Sequence, residues 1–72
     1  MILYVIMGEK NFLYADGFGN IEELPGPAHH ATLYETREES EHDLGVWRGQ
    51  DLQNRKGKGR VLRVEMNIEQ SE

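Results

Sequence analysis

The chain opens on "MILYVIM" (1–7), a continuous apolar run rich in β-branched and aromatic side chains. Such a run predicts a strand covered on both faces, and therefore one central in its sheet. "GEKN" (8–11) has turn composition, and "FLYA" (12–15) resumes the apolar pattern, so the two segments should pair as an antiparallel hairpin. "DGFGN" (16–20) carries two glycines able to reverse the chain toward a third short strand near Ile21 to Leu24. "PGPAHH" (25–30) contains two prolines that cannot donate to a ladder, which predicts a surface loop. "ATLY" (31–34) follows as a brief extended piece.

The period then changes. Thr36 reads as an N-cap, with Glu39 three positions on completing a capping box and Glu38 and Glu39 favourably placed at the positive end of the helix dipole. A helix starting at Arg37 lines up Ser40, Leu44 and Trp47 on one face, with Trp47 as its main anchor. Gly45 and Gly49 weaken it by about 1 kcal/mol each relative to alanine, and its end falls between residues 44 and 55. "RVLRVEMNI" (60–68) alternates with period two, placing Leu62, Val64, Met66 and Ile68 on one face and Val61, Arg63, Glu65 and Asn67 on the other. This is a half-buried strand expected beside the first, with "EQSE" (69–72) as a tail. The predicted fold is α+β: a small antiparallel sheet of three to four strands in β-β-β-α-β order, with one helix packed on one face.

Composition narrows this picture. Seventy-two residues make one domain, residues 1–72, since so short a chain buries only about 60% of its unfolded surface. There is no cysteine, hence no disulfide or thiolate metal site, and the fold rests on packing alone or on a partner chain. The longest apolar run, Ile2 to Met7, is far shorter than the roughly 20 residues a spanning helix needs, and no basic residue precedes it as in a signal peptide. A soluble, cytoplasmic protein is expected.

Charge is distributed unevenly around a net of −5. Residues 1–43 hold nine acids against Lys10 and Arg37, a balance of −7, whereas residues 44–72 hold six bases against four acids, a balance of +2. Two runs dominate. "ETREESEHD" (35–43) contains Glu35, Glu38, Glu39, Glu41 and Asp43, and the stretch 55–63 contains Arg55, Lys56, Lys58, Arg60 and Arg63 with no acid. As solvated faces they keep the chain soluble, and they can also neutralise each other in the fold. As sites, the acids could face a basic groove on a partner, with Glu22 and Glu23 if these lie nearby. The bases, with Gly57 and Gly59 allowing close approach, could contact nucleic-acid phosphates. Phe18, Tyr34 or Trp47 could anchor an interface, although Trp47 suits the core better.

Other chemistry finds little support. Glu38 and His42 stand one helical turn apart and would need His29 or His30 to complete a metal site, in a chain with no HExxH pattern. "DGFGNIEE" (16–23) departs from a calcium loop, with Phe18 at the third position and Ile21 where glycine is required. "GKGR" lacks the spacing and the hydroxyl of a Walker loop, and neither Ser40 nor Ser71 sits in a nucleophile elbow. Neighbouring carboxylates would need a cleft to set their pKa values apart. A non-enzymatic protein without metal or cofactor is the expectation.

Taken together, the glycine-punctuated hairpin, "ATLYETREESEHDL" (31–44) and the alternating last strand resemble small phage and prophage accessory proteins, in which an extended A-x-x-F/Y piece leads into a capped helix and a final strand closes the sheet. Ser40 stands where that pattern favours alanine, and the glycine-bearing stretch 45–59 departs from it. The resemblance implies a protein that works in the cytoplasm of a bacterial host by binding host machinery, in the manner of anti-CRISPR and related anti-defence inhibitors. It carries over no catalytic residue. The leading expectation is protein–protein contact through the acidic face. Nucleic-acid binding through residues 55–63 and a homodimer formed by edge strands are the alternatives.

Overall fold

The computed structural model describes residues 1–27, 30–50 and 54–65. Over these the chain forms β1 (Ile2–Met7), β2 (Leu13–Ala15), β3 (Ile21–Glu23), α1 (Arg37–Gly49) and β4 (Arg60–Glu65). Among the described residues the protein is α+β, with one helix and two small antiparallel sheets, β1 with β4 and β2 with β3. His29, the continuation of the last strand to Ile68 and the tail 69–72 lie outside the described residues.

The strands do not merge into one regular ladder because the extended piece 31–34 enters between β1 and β2. Tyr34 exchanges two backbone hydrogen bonds of 2.9 Å with Tyr4. Thr32 then donates its N–H to Leu13 O, while its Oγ1 accepts from Ala15 N–H at 2.8 Å. Only a single bridge, Met7 to Phe12, joins β1 to the chain entering β2. β1 is nonetheless flanked on both edges, with β4 on one side and Tyr34 and Phe12 on the other.

Helix α1 begins as its sequence dictates. Thr36 is extended, and its Oγ1 accepts the Glu39 N–H at 3.2 Å, which satisfies one of the donors every helix start leaves open. Ser40, Leu44 and Trp47 are buried, and the Ser40 hydroxyl escapes an unpaired interior by donating to Arg37 O at 2.6 Å. Ile6, Leu13, Ile21 and Tyr34 complete the core with Leu44 and Trp47, and Tyr4 and Val61 pack against it.

This packing reveals which side of the β1–β4 sheet the helix covers. Ile6 and its cross-strand partner Val61 lie toward α1, so strand alternation sends Leu3, Val5, Met7, Leu62 and Val64 to the other side. The helix therefore rests on the β4 face that carries Val61, Arg63 and Glu65, and the face of Leu62 and Val64 points away. Leu3 and Val5 are buried on that opposite side, with Met7, Leu62 and Val64 half-buried around them. Gly59 permits the close contact. A Cβ there would fall 2.8 Å from Leu44 Cδ1 and 3.0 Å from Trp47 Cζ3, at a φ of +78° that disfavours side chains.

Candidate functional site

The acidic run is placed by the start of α1. With about 3.6 residues per turn and Ser40 facing the core, Glu38, Glu39, His42 and Asp43 share one flank of the helix. Together with Tyr34 they line a shallow recess. Glu35, exposed, adjoins Tyr34 at the mouth of the helix. The Tyr34 hydroxyl donates to Asp43 Oδ2 at 2.6 Å, which ties the extended segment to the helix and fixes one carboxylate of the group. Burial, and then this carboxylate, push the Tyr34 phenol well above the usual tyrosine range, since ionising it would put a second negative charge beside Asp43.

Three of the five acids singled out in the sequence, Glu38, Glu39 and Asp43, are thus brought to one side, and Glu35 precedes the helix beside Tyr34 in the chain. Glu41 is not among them. It lies round the helix toward Arg37 and forms an i,i+4 ion pair with it at 3.5 Å, both side chains being largely exposed. Such a pair contributes little to stability. Glu22 and Glu23 also stay apart from the group. β3 docks at the C-terminal end of α1, and the Glu23 carboxylate turns to the β1–β2 turn, where it accepts from the N–H groups of Lys10 and Asn11.

The basic stretch is dispersed. Arg55 donates from Nη1 to Trp47 O at 2.8 Å and lays its guanidinium 4.8 Å from the centre of the Trp47 ring. Its charge serves the negative end of the helix. Lys58 pairs with Glu9 at 2.9 Å, and its ammonium holds the Glu9 carboxyl below the usual range by hydrogen bond and charge. Lys56, Arg60 and Arg63 are exposed, but Arg60 and Arg63 are three apart in β4 and point to opposite faces of the sheet. The five bases share no common face. Nor do they neutralise the acidic helix flank, since the ion pairs among the described residues use Glu9 and Glu41.

Among the described residues Phe18 is the most exposed large apolar side chain, at 89%, on a turn held by Asp16, whose carboxylate accepts from the Phe18 and Asn20 N–H groups and from the Asn20 amide. Those donors hold the Asp16 carboxyl below its usual range. Tyr34 and Trp47, by contrast, are core residues. A second depression, between β2 and the proline loop, is lined by Phe12, Tyr14, Leu24, Pro25, Pro27 and His30 among others, and gathers no carboxylate. Among the described residues no group of three His, Asp or Glu side chains has the arrangement of a metal site.

Sequence reasoning missed the internal work of three polar side chains. Gln50 bonds both backbone groups of Ile21, and Arg48 donates from Nε to Lys58 O at 2.7 Å and from Nη2 to Gly59 O at 3.1 Å. Arg55 does the same for Trp47. Only the Arg55 bond had a signal in the sequence, because a helix end leaves carbonyls such as Trp47 O to be satisfied, whereas Arg48 and Gln50 bond segments distant in the chain.

Compared with protein-family models, curated proteins and solved structures, the chain matches none of them.

Proposed function

We propose that the protein is a non-catalytic binding module whose working surface is the acidic flank of α1, formed by Glu35, Glu38, Glu39 and Asp43 with His42, and whose partner is a protein presenting a basic groove. The observation that carries this reading is the contrast between the two charged runs. The acids gather beside Tyr34, with Asp43 pre-positioned by the phenol, while two of the five bases are spent on internal contacts and two others diverge. A concentrated negative surface steers and orients a basic partner, and its effect weakens with salt.

The kind of partner follows from the resemblance to phage accessory proteins alone: a nucleic-acid-handling complex of a bacterial host, with inhibition of a defence system such as CRISPR-Cas as the result of blocking its groove. The test is capture from a bacterial lysate by the immobilised chain. The wild type should retain a protein that salt releases, and Glu35→Gln with Glu38→Gln and Glu39→Gln should abolish retention. Retention that survives this triple change but is lost on reversing Lys56, Arg60 and Arg63 would transfer the function to the basic residues.

A further inference from the structure

The outer edge of β4 has no ladder partner among the described residues, and its chemistry is self-complementary. Tyr4 turns its N–H and C=O to Tyr34, so in β1 the neighbouring Leu3, Val5 and Met7 direct theirs to β4. Their register partners Val64, Leu62 and Arg60 bond back to β1, which leaves Val61, Arg63 and Glu65 with backbone groups directed outward. The side chains of Arg63 and Glu65 are exposed, and neither has a hydrogen bond or ion pair among the described residues.

We infer that β4 pairs antiparallel with β4 of a second copy of this chain, in a register centred on Val64. A two-fold axis normal to the sheet keeps each face on its own side, so cross-strand partners must share a face, and only registers centred on a residue qualify. Centring on Arg63 sets two guanidinium groups opposite each other, which is unfavourable. Centring on Leu62 places Arg63 against Val61 and leaves the charge unmatched. Centring on Val64 sets Arg63 of each copy opposite Glu65 of the other, as hydrogen-bonded pairs that use the outward backbone groups of both residues. Val64 then meets its own copy on the other face as a close, non-hydrogen-bonded β-branched pair. The two-stranded β1–β4 sheet, a marginal unit alone, becomes four strands in the order β1-β4-β4-β1. The half-buried apolar side chains Leu62 and Val64 become central in it, flanked on each side by Leu3 and Val5. The pairing uses none of the acidic-flank residues, so it stands independently of the proposed function.

The experiment is sedimentation velocity on the full chain over a concentration series reaching about 1 mM. The wild type should sediment as a reversible dimer. Arg63→Glu sets Glu against Glu and Glu65→Arg sets Arg against Arg, so each alone should weaken the dimer about tenfold or more. An equimolar mixture of the two variants restores both opposite-charge pairs and should recover a heterodimer, and the doubly swapped chain should recover a homodimer. Far-UV circular dichroism of each variant confirms folding, and recovery on mixing itself requires folded chains. A wild type that stays monomeric throughout, a dimer indifferent to both reversals, or a mixture that fails to recover would each overturn the inference.

Discussion

The side-chain amide of Gln50 closes on the backbone of Ile21 from both sides: Oε1 accepts the Ile21 N–H at 2.9 Å and Nε2 donates to the Ile21 carbonyl at 2.7 Å. In effect the amide acts as one residue of an added strand at the edge of β3. The same residue ends α1, its own N–H bonding to Trp47 O, so a single side chain fastens the second sheet to the helix. Replacing Gln50 with alanine leaves both Ile21 groups without a protein partner and should cost about 1–3 kcal/mol in denaturant unfolding. Native-state hydrogen exchange locates the effect. The Ile21 amide should lose protection while the β1–β4 amides keep theirs until global unfolding.

Gly59 and Gly57 give an internal comparison of two costs. Their φ angles are nearly equal, +78° and +77°, so alanine meets the same backbone penalty at each, about 1 kcal/mol. At Gly57 nothing lies within 4 Å of the new Cβ, whereas at Gly59 it meets Leu44, Trp47 and Met7 O. Gly57→Ala should therefore lose only the backbone penalty. Gly59→Ala should lose about 1–3 kcal/mol more, as the helix is lifted from the sheet. Equal losses in thermal unfolding would mean that α1 does not press on this turn.

Burial of Tyr34, and then its bond to Asp43, make stability depend on alkaline pH. The folded-state pKa of Tyr34 is raised, so its contribution is fully present below the unfolded value of about 10 and is lost as pH rises from there. Tyr34→Phe should be less stable by about 1–2 kcal/mol at neutral pH. The difference from wild type should shrink above about pH 10, since the remaining tyrosines titrate in both proteins. A gap that is constant from neutral to alkaline pH would mean that the phenol is neither buried nor bonded to Asp43 in solution.

Much of this architecture was legible in the linear pattern. Thr36 at the head of an apolar-periodic segment and the seven-residue apolar opening each encode their structure locally, through capping and burial. What stayed hidden depends on contacts between distant segments. Residues 31–34 read only as extended, and nothing local in them says that Tyr34 would lie along Tyr4 and divide the sheet. The alternation of β4 gave its period correctly but not the side on which the helix would rest. That side is where Gly59 lets Leu44 and Trp47 approach closely, a contact between distant segments. For the charged runs, helical spacing carried Glu38, Glu39 and Asp43 onto one flank and Glu41 away from it, while Glu35 lies ahead of the helix. The bases looked continuous only because distance along the chain conceals the opposite faces of a strand and the pull of a helix end on Arg55.

The acidic flank, and not the basic stretch, is the surface proposed to meet a partner. An isotope-labelled chain can be titrated in separate NMR experiments with an arginine- and lysine-rich peptide and with a short DNA duplex, following each backbone amide. Salt-sensitive shifts confined to residues 35–43 on adding the peptide, with no response to the duplex, are the predicted result. Shifts at Lys56, Arg60 and Arg63 on adding the duplex, with residues 35–43 silent toward the peptide, would contradict it.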